Sequence, residues 1–166
     1  RTANHRAYLM AEGKKRQELG LSLVVVSAHA TSCELCVPWQ GLVIIDDVYS
    51  GGKKEDGPYR LLSTAMEEGL MHPNCRHNLS TYFPGITTLP KVPDPEKALK
   101  YYGLEQHQRK LERAIREQKR IIAGTIDKDN LKAEKNKLAT LQLELREFLE
   151  ANPQLRRAPR RENPRV

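Results

Sequence analysis

Three cysteines and two histidines carry the most distinctive chemistry in this sequence. Cys33-Glu34-Leu35-Cys36 is followed, after an interval of 35 residues, by His72-Pro73-Asn74-Cys75-Arg76-His77, and together these segments hold every cysteine of the chain. Two residues between Cys33 and Cys36 let a tight turn aim both sulfurs at one ion. The same gap between His72 and Cys75 supplies two further corners of a tetrahedron. One structural Zn2+ held by Cys33, Cys36, His72 and Cys75 is the expectation. His77 is the rival fourth ligand, because two residues past Cys75 it shares that residue's face on an extended strand. Buried apolar cysteines with hydrogen-bonded histidines would leave the paired gaps unexplained. A Cys33 to Cys36 disulfide would strand Cys75, and an odd cysteine suits a reducing compartment better than a secreted framework.

Positioning these ligands requires short elements. Residues 2–19 are rich in helix formers and end at Gly20, a natural helix stop. Residues 21–27 and 41–49 read as strands from their β-branched content, with the Cys33/Cys36 turn between them. The polar, glycine-rich stretch 50–58 reads as an exposed loop. A short helix over 59–68 should stop at Gly69 and deliver the chain to His72. A third strand over 77–83 should close at Pro84-Gly85. The expected fold class is α+β: a zinc-stapled module over 1–88, with an N-terminal helix, a short antiparallel sheet and a short helix. A proline-rich linker follows at 89–95.

Beyond it the composition changes. Asp94-Pro95-Glu96 opens a helix with proline in its first turn, and Leu104, Leu111, Ile115 and Ile122 recur on one face before Gly124. A second helix starting near Asp127 or Asp129 carries Leu131, Leu138, Leu141, Leu145 and Phe148 at spacings of three, four or seven. An antiparallel helical hairpin over 96–151 is expected. Residues 152–166, with three prolines and five arginines, read as a disordered basic tail.

Charge is divided unequally. Residues 1–90 contain nine Lys/Arg and nine Asp/Glu, whereas residues 91–166 contain nineteen and twelve, so the net +7 belongs to the second half. A polyanion or an acidic protein face is the default partner of such a surface. At about 100° per residue, Arg109, Arg113, Arg116 and Arg120 share a sector of about 60°, nearly opposite the apolar residues. The plain explanation is a solvated face supported by Glu105 to Arg109 and Glu112 to Arg116 pairs, worth only tenths of a kcal/mol each. The use of arginine at all four positions favours bidentate contact with phosphate or carboxylate. Arg156, Arg157, Arg160, Arg161 and Arg165 of the tail extend the same surface. With few aromatic side chains nearby, backbone phosphate contact is expected rather than base stacking.

The chain is long enough for one modest core, and an aromatic content of 5% keeps that core small. The longest apolar run, Leu23 to Val26, is far too short to span a bilayer, so a soluble protein is expected. The start at Arg1 suggests a piece of something longer.

The run Cys33-x-x-Cys36-x-x-Trp39-Gln40-Gly41, with His72-Pro73-Asn74-Cys75-Arg76-His77 and Pro84-Gly85, resembles the C-terminal region of phage minor head proteins. These are the Mu F-type head morphogenesis family, similar in its paired cysteines and HPNCR segment, and the phage minor capsid protein 2 family, similar in its WQG and NCRH. Residues 108–116 also look like the helical segment that follows in such proteins, and the likeness covers about residues 1–125. Mu F-type members commonly carry cysteine where this chain has His77. The resemblance implies a low-copy structural component of the virion, inside the phage head, present in the host cytoplasm during assembly. It further implies association with portal and inner capsid, contact with packaged DNA, and ejection with that DNA as an option. A different class also follows from the resemblance: a toxin-like nuclease using His29, Arg76 and His77 for acid/base work and phosphate stabilisation. Against an enzyme stand the absence of a paired carboxylate cluster and of any His-x-Glu or His-Glu-x-x-His motif. A sequence-reading zinc finger fits poorly, since no base-reading helix follows either knuckle at finger-like distance.

Overall fold

The computed structural model describes residues 2–164 and resolves them into two compact units that divide between Tyr101 and Tyr102. The boundary falls within the long helix α3 (Pro95–Gly124).

The first unit is built on helix α1 (Thr2–Glu18) and a four-stranded sheet of order β3-β2-β1-β4. Helix α1 ends where Gly20 adopts φ +68°, a left-handed turn that glycine takes without steric cost. The valine run Leu23–Val26 forms β1, which pairs antiparallel with β2 (Val43–Ile45) and with β4 (Leu79–Thr81). Val24, Val26 and Ile44 turn inward onto Leu9 of α1 and onto Trp39, Leu62, Ala65, Leu70 and Leu79, all buried.

The sheet is mixed, where an antiparallel one was expected. Arg60 and Leu61 form β3, parallel to Ile44 and Ile45 of β2, so the helix expected over 59–68 is shortened to α2 (Leu62–Glu67). Its N-terminus is held by Asp47, whose Oδ1 accepts from the Ser63 backbone at 2.9 Å. The 50–58 stretch is largely exposed as expected, yet includes a 3-10 turn, Lys54–Asp56, fixed by Ser22 Oγ donating to Asp56 at 2.6 Å.

An ion pair is buried within this unit. Arg16 donates to Asp46 at 2.9 Å with both side chains almost fully buried, and the other Asp46 oxygen accepts from the Tyr49 backbone at 2.8 Å. Gly13 lets α1 approach this turn, because a Cβ there would lie 2.8 Å from the Tyr49 carbonyl.

In the second unit, α3 and α4 (Lys128–Ala151) form the helical hairpin. Asp94 caps α3 by accepting from the Lys97 backbone, and Asp127 caps α4 by accepting from the Asn130 backbone at 2.8 Å. Leu111, Ile115 and Leu145 form the buried seam, flanked by Leu138, Leu141, Phe148 and Leu149. The tail departs from expectation. The described residues 152–164 are ordered and contain a short helix, α5 (Pro159–Glu162), because Glu162 turns inward and is only 3% exposed. Arg165 lies outside the described residues.

Candidate metal centre

Two short turns of the first unit bring the cysteines and histidines together. At the first, the Cys36 and Val37 amides both donate to the Cys33 carbonyl at 3.0 Å, and the chain enters a 3-10 turn, Val37–Trp39. At the second, the Cys75 amide donates to the His72 carbonyl at 2.9 Å. Asn74 supplies the left-handed residue that this turn needs, at φ +69°, a conformation asparagine tolerates better than most side chains.

The Cys33 sulfur lies 3.1 Å from His72 Nε2, and the Cys36 sulfur 3.7 Å from that of Cys75. His77 Nδ1 lies 3.5 Å from the Cys75 sulfur, which also accepts from the His77 amide at 3.4 Å. Ligand atoms at the corners of a tetrahedral zinc site are separated by about 3.8 Å between two sulfurs and about 3.5 Å between sulfur and nitrogen, given Zn–S and Zn–N bonds of about 2.3 and 2.0 Å. Cys33, Cys36 and His72 form one close group, and Cys36, Cys75 and His77 another, with Cys36 common to both. All five candidate ligands therefore converge, and their sulfur and imidazole donors are those a zinc ion takes.

Each histidine is also held from behind. His72 Nδ1 sits 2.8 Å from the Pro73 carbonyl, which can only accept, so that nitrogen carries the proton and Nε2 turns its lone pair to Cys33. His77 Nε2 faces Gln40 Oε1 at 3.4 Å, leaving Nδ1 for Cys75. Gln40 Oε1 also accepts from the His29 amide at 2.5 Å. Each of the two groups thus offers three donor atoms within 4.8 Å of one another, and Cys36 joins them.

The Cys36 and Cys75 thiols act on each other. The hydrogen bond it shares with Cys36 holds the Cys75 thiol well below its ordinary value, against the opposing effect of burial and with further help from His77. The Cys36 thiol is pushed far up by the same contact and by burial. His29 lies edge-on to His77, ring centroids 4.7 Å apart, and its pKa is lowered by burial and then by His77. Trp39 is 2% exposed and packs in the core beside Cys36, with the Arg60 guanidinium 4.4 Å from its ring centroid. It closes the knuckle from within rather than facing outward. Gln40, Ser27 and Asn78, which link the histidines to the sheet, carry no sequence signal beyond the glutamine of the Trp39-Gln40-Gly41 run.

The arginines expected to meet a polyanion are arranged in the second unit as follows. Arg109 pairs with Glu105 at 2.8 Å and Arg120 with Glu117 at 3.3 Å, while Arg113 is exposed. The expected Glu112 to Arg116 pair does not form. Glu112 is 2% exposed and accepts from Gln108 at 2.9 Å and from Arg161 at 3.5 Å, whereas Arg116 donates to the Arg161 carbonyl at 3.1 Å. Arg157 grips Glu162 through two bonds of 2.9 Å, and the side chains of Arg156 and Arg160 are exposed.

Among the described residues, no helix is long and apolar enough to cross a membrane. Residues 1–150 match the family model described as phage minor capsid protein 2. No curated protein and no solved structure matches the chain.

Proposed function

From the premise that this chain belongs to the phage minor capsid protein 2 family, we propose that it is a structural component of the phage head in which one Zn2+ clamps the module that carries a basic helical hairpin. The family match over residues 1–150 carries the virion role, and the convergence of Cys33, Cys36, Cys75, His72 and His77 supports the metal. Cys33, Cys36, Cys75 and His72 would hold the ion, with His77 behind Cys75 as the competing ligand. Four protein ligands leave no open position for a substrate, so the ion's chemistry is that of a staple. It would join the turn at 33–36 to the turn at 72–75, two points that a core this small holds together poorly otherwise.

The hairpin and tail would meet portal, inner capsid or packaged DNA, with guanidinium groups contacting backbone phosphates without reading sequence. The nuclease reading is less well supported. His29 and His77 do adjoin, but His77 is 3% exposed with both ring nitrogens engaged, which keeps a phosphodiester away from it.

Quantitative mass spectrometry of purified particles, before and after genome ejection, tests the location, and native mass spectrometry of the purified chain tests the metal. The expected results are a low, fixed copy number in filled heads and one zinc per chain. Absence of the chain from particles, or a folded chain without a transition metal, overturns the corresponding half.

A further inference from the structure

The second unit spends a run of polar side chains on its own tail. Gln108, Glu112, Arg116 and Lys119 recur along α3 at steps of four, four and three, and so form one row. Each meets the segment 156–163: Gln108 donates to the Arg156 carbonyl at 2.8 Å, Glu112 accepts from Arg161, Arg116 donates to the Arg161 carbonyl, and Lys119 donates to Asn163 at 2.6 Å. Glu162 closes the set from the tail side by taking both guanidinium bonds of Arg157. A purely electrostatic tail would leave its arginines in water; here two of them, with Arg116 and Lys119 of α3, are bonded within the unit.

We propose that residues 156–163 form a latch whose contacts occupy Arg116, Lys119, Arg157 and Arg161, so that a polyanion must break those contacts to engage the four side chains. The inference rests on the phosphate-contact reading above and adds its regulation. The masked groups are those a phosphate backbone would otherwise take, since guanidinium forks bind carboxylate and phosphate in the same bidentate manner. Arg113 of α3 and Arg156 and Arg160 of the latch itself, all exposed, would make the first contacts.

The test uses the whole chain and a short DNA duplex of arbitrary sequence. Glu112→Gln/Glu162→Gln releases Arg161 and Arg157 while keeping side-chain shape, and Glu144→Gln/Glu147→Gln, at exposed positions on α4, removes the same charge without touching the latch. Limited trypsin digestion after Arg157 and Arg161 should be slow in the wild type and in the α4 variant, and fast in the latch variant. Binding by the latch variant should exceed that of the charge-matched control by about tenfold at low salt, with a log–log salt slope steeper by about two. Should the latch variant fail to fold, as seen in its melting curve, Glu162→Gln against Glu144→Gln is read in the same way with one arginine at stake. Equal trypsin sensitivity in all variants overturns the latch. Equal binding by latch variant and control, where the wild type does bind, overturns the masking while leaving phosphate contact intact. Failure of every variant to bind duplex at low salt overturns phosphate contact itself, and the masking with it.

Discussion

Removal of the proposed zinc should cost the first unit a large share of its stability. The ligand pairs Cys33/His72 and Cys36/Cys75 each span 39 positions. In the chain-entropy treatment of cross-links, closing a loop of that length removes about 13 cal/mol/K from the unfolded ensemble, or about 4 kcal/mol at 25 °C. Against the 5 to 15 kcal/mol typical of a whole domain, this is a large fraction. For a unit of this size it corresponds to a fall in Tm of about 15 to 30 °C. The assay is thermal unfolding of the purified chain, as loaded, after chelation with metal content verified, and after return of zinc. Cys36→Ser should lose both metal and the folded first unit, since Cys36 belongs to both close ligand groups and is 1% exposed. A verified metal-free sample melting within about 5 °C of the loaded one would refute the staple, because that shift amounts to about 1 kcal/mol or less.

Three further outcomes follow from particular contacts. Asp46→Ala should destabilise the first unit by about 3 to 5 kcal/mol by stranding a buried guanidinium, and Arg16→Met added to it should recover much of the loss; urea unfolding of the double-mutant cycle reads this, and a coupling below about 0.5 kcal/mol contradicts it. Gly13→Ala, a change that gains about 1 kcal/mol in an open helix, should lower Tm here because the new methyl group meets the Tyr49 backbone at 2.8 Å; a raised Tm is the contrary result. Glu162, whose pKa the Arg157 hydrogen bonds hold below its ordinary 4.5, is lowered in the folded state, so its contribution is complete above 4.5 and disappears as pH falls through the folded value. A carboxyl titration followed by NMR should place its midpoint under 4.5, and a midpoint at or above that value removes the Arg157 contact from the account.

Local pattern was enough for much of this protein. The two gaps in Cys33-x-x-Cys36 and His72-x-x-Cys75 announce paired turns, because a turn of that length leaves few directions in which its end residues can point. Gly20, Asp94 and Asp127 mark helix ends by their own conformational and hydrogen-bonding preferences, and the 3.6-residue recurrence of Leu111, Ile115, Leu138 and Leu145 shows the hairpin seam. These signals act over a few residues and survive in a linear reading. Tertiary structure decided what depends on distant partners. Arg60 and Leu61 leave the expected helix because β2 offers a parallel edge for their backbone groups, and the Arg16–Asp46 pair joins residues 30 apart that look like two ordinary surface charges. The tail reads as disordered from its prolines and arginines, yet it orders because the buried Glu112 and Glu162 answer Arg161 and Arg157. The Arg161–Glu112 contact spans 49 positions, far beyond any local period, and a carboxylate so distant in sequence leaves no trace in the composition of the tail.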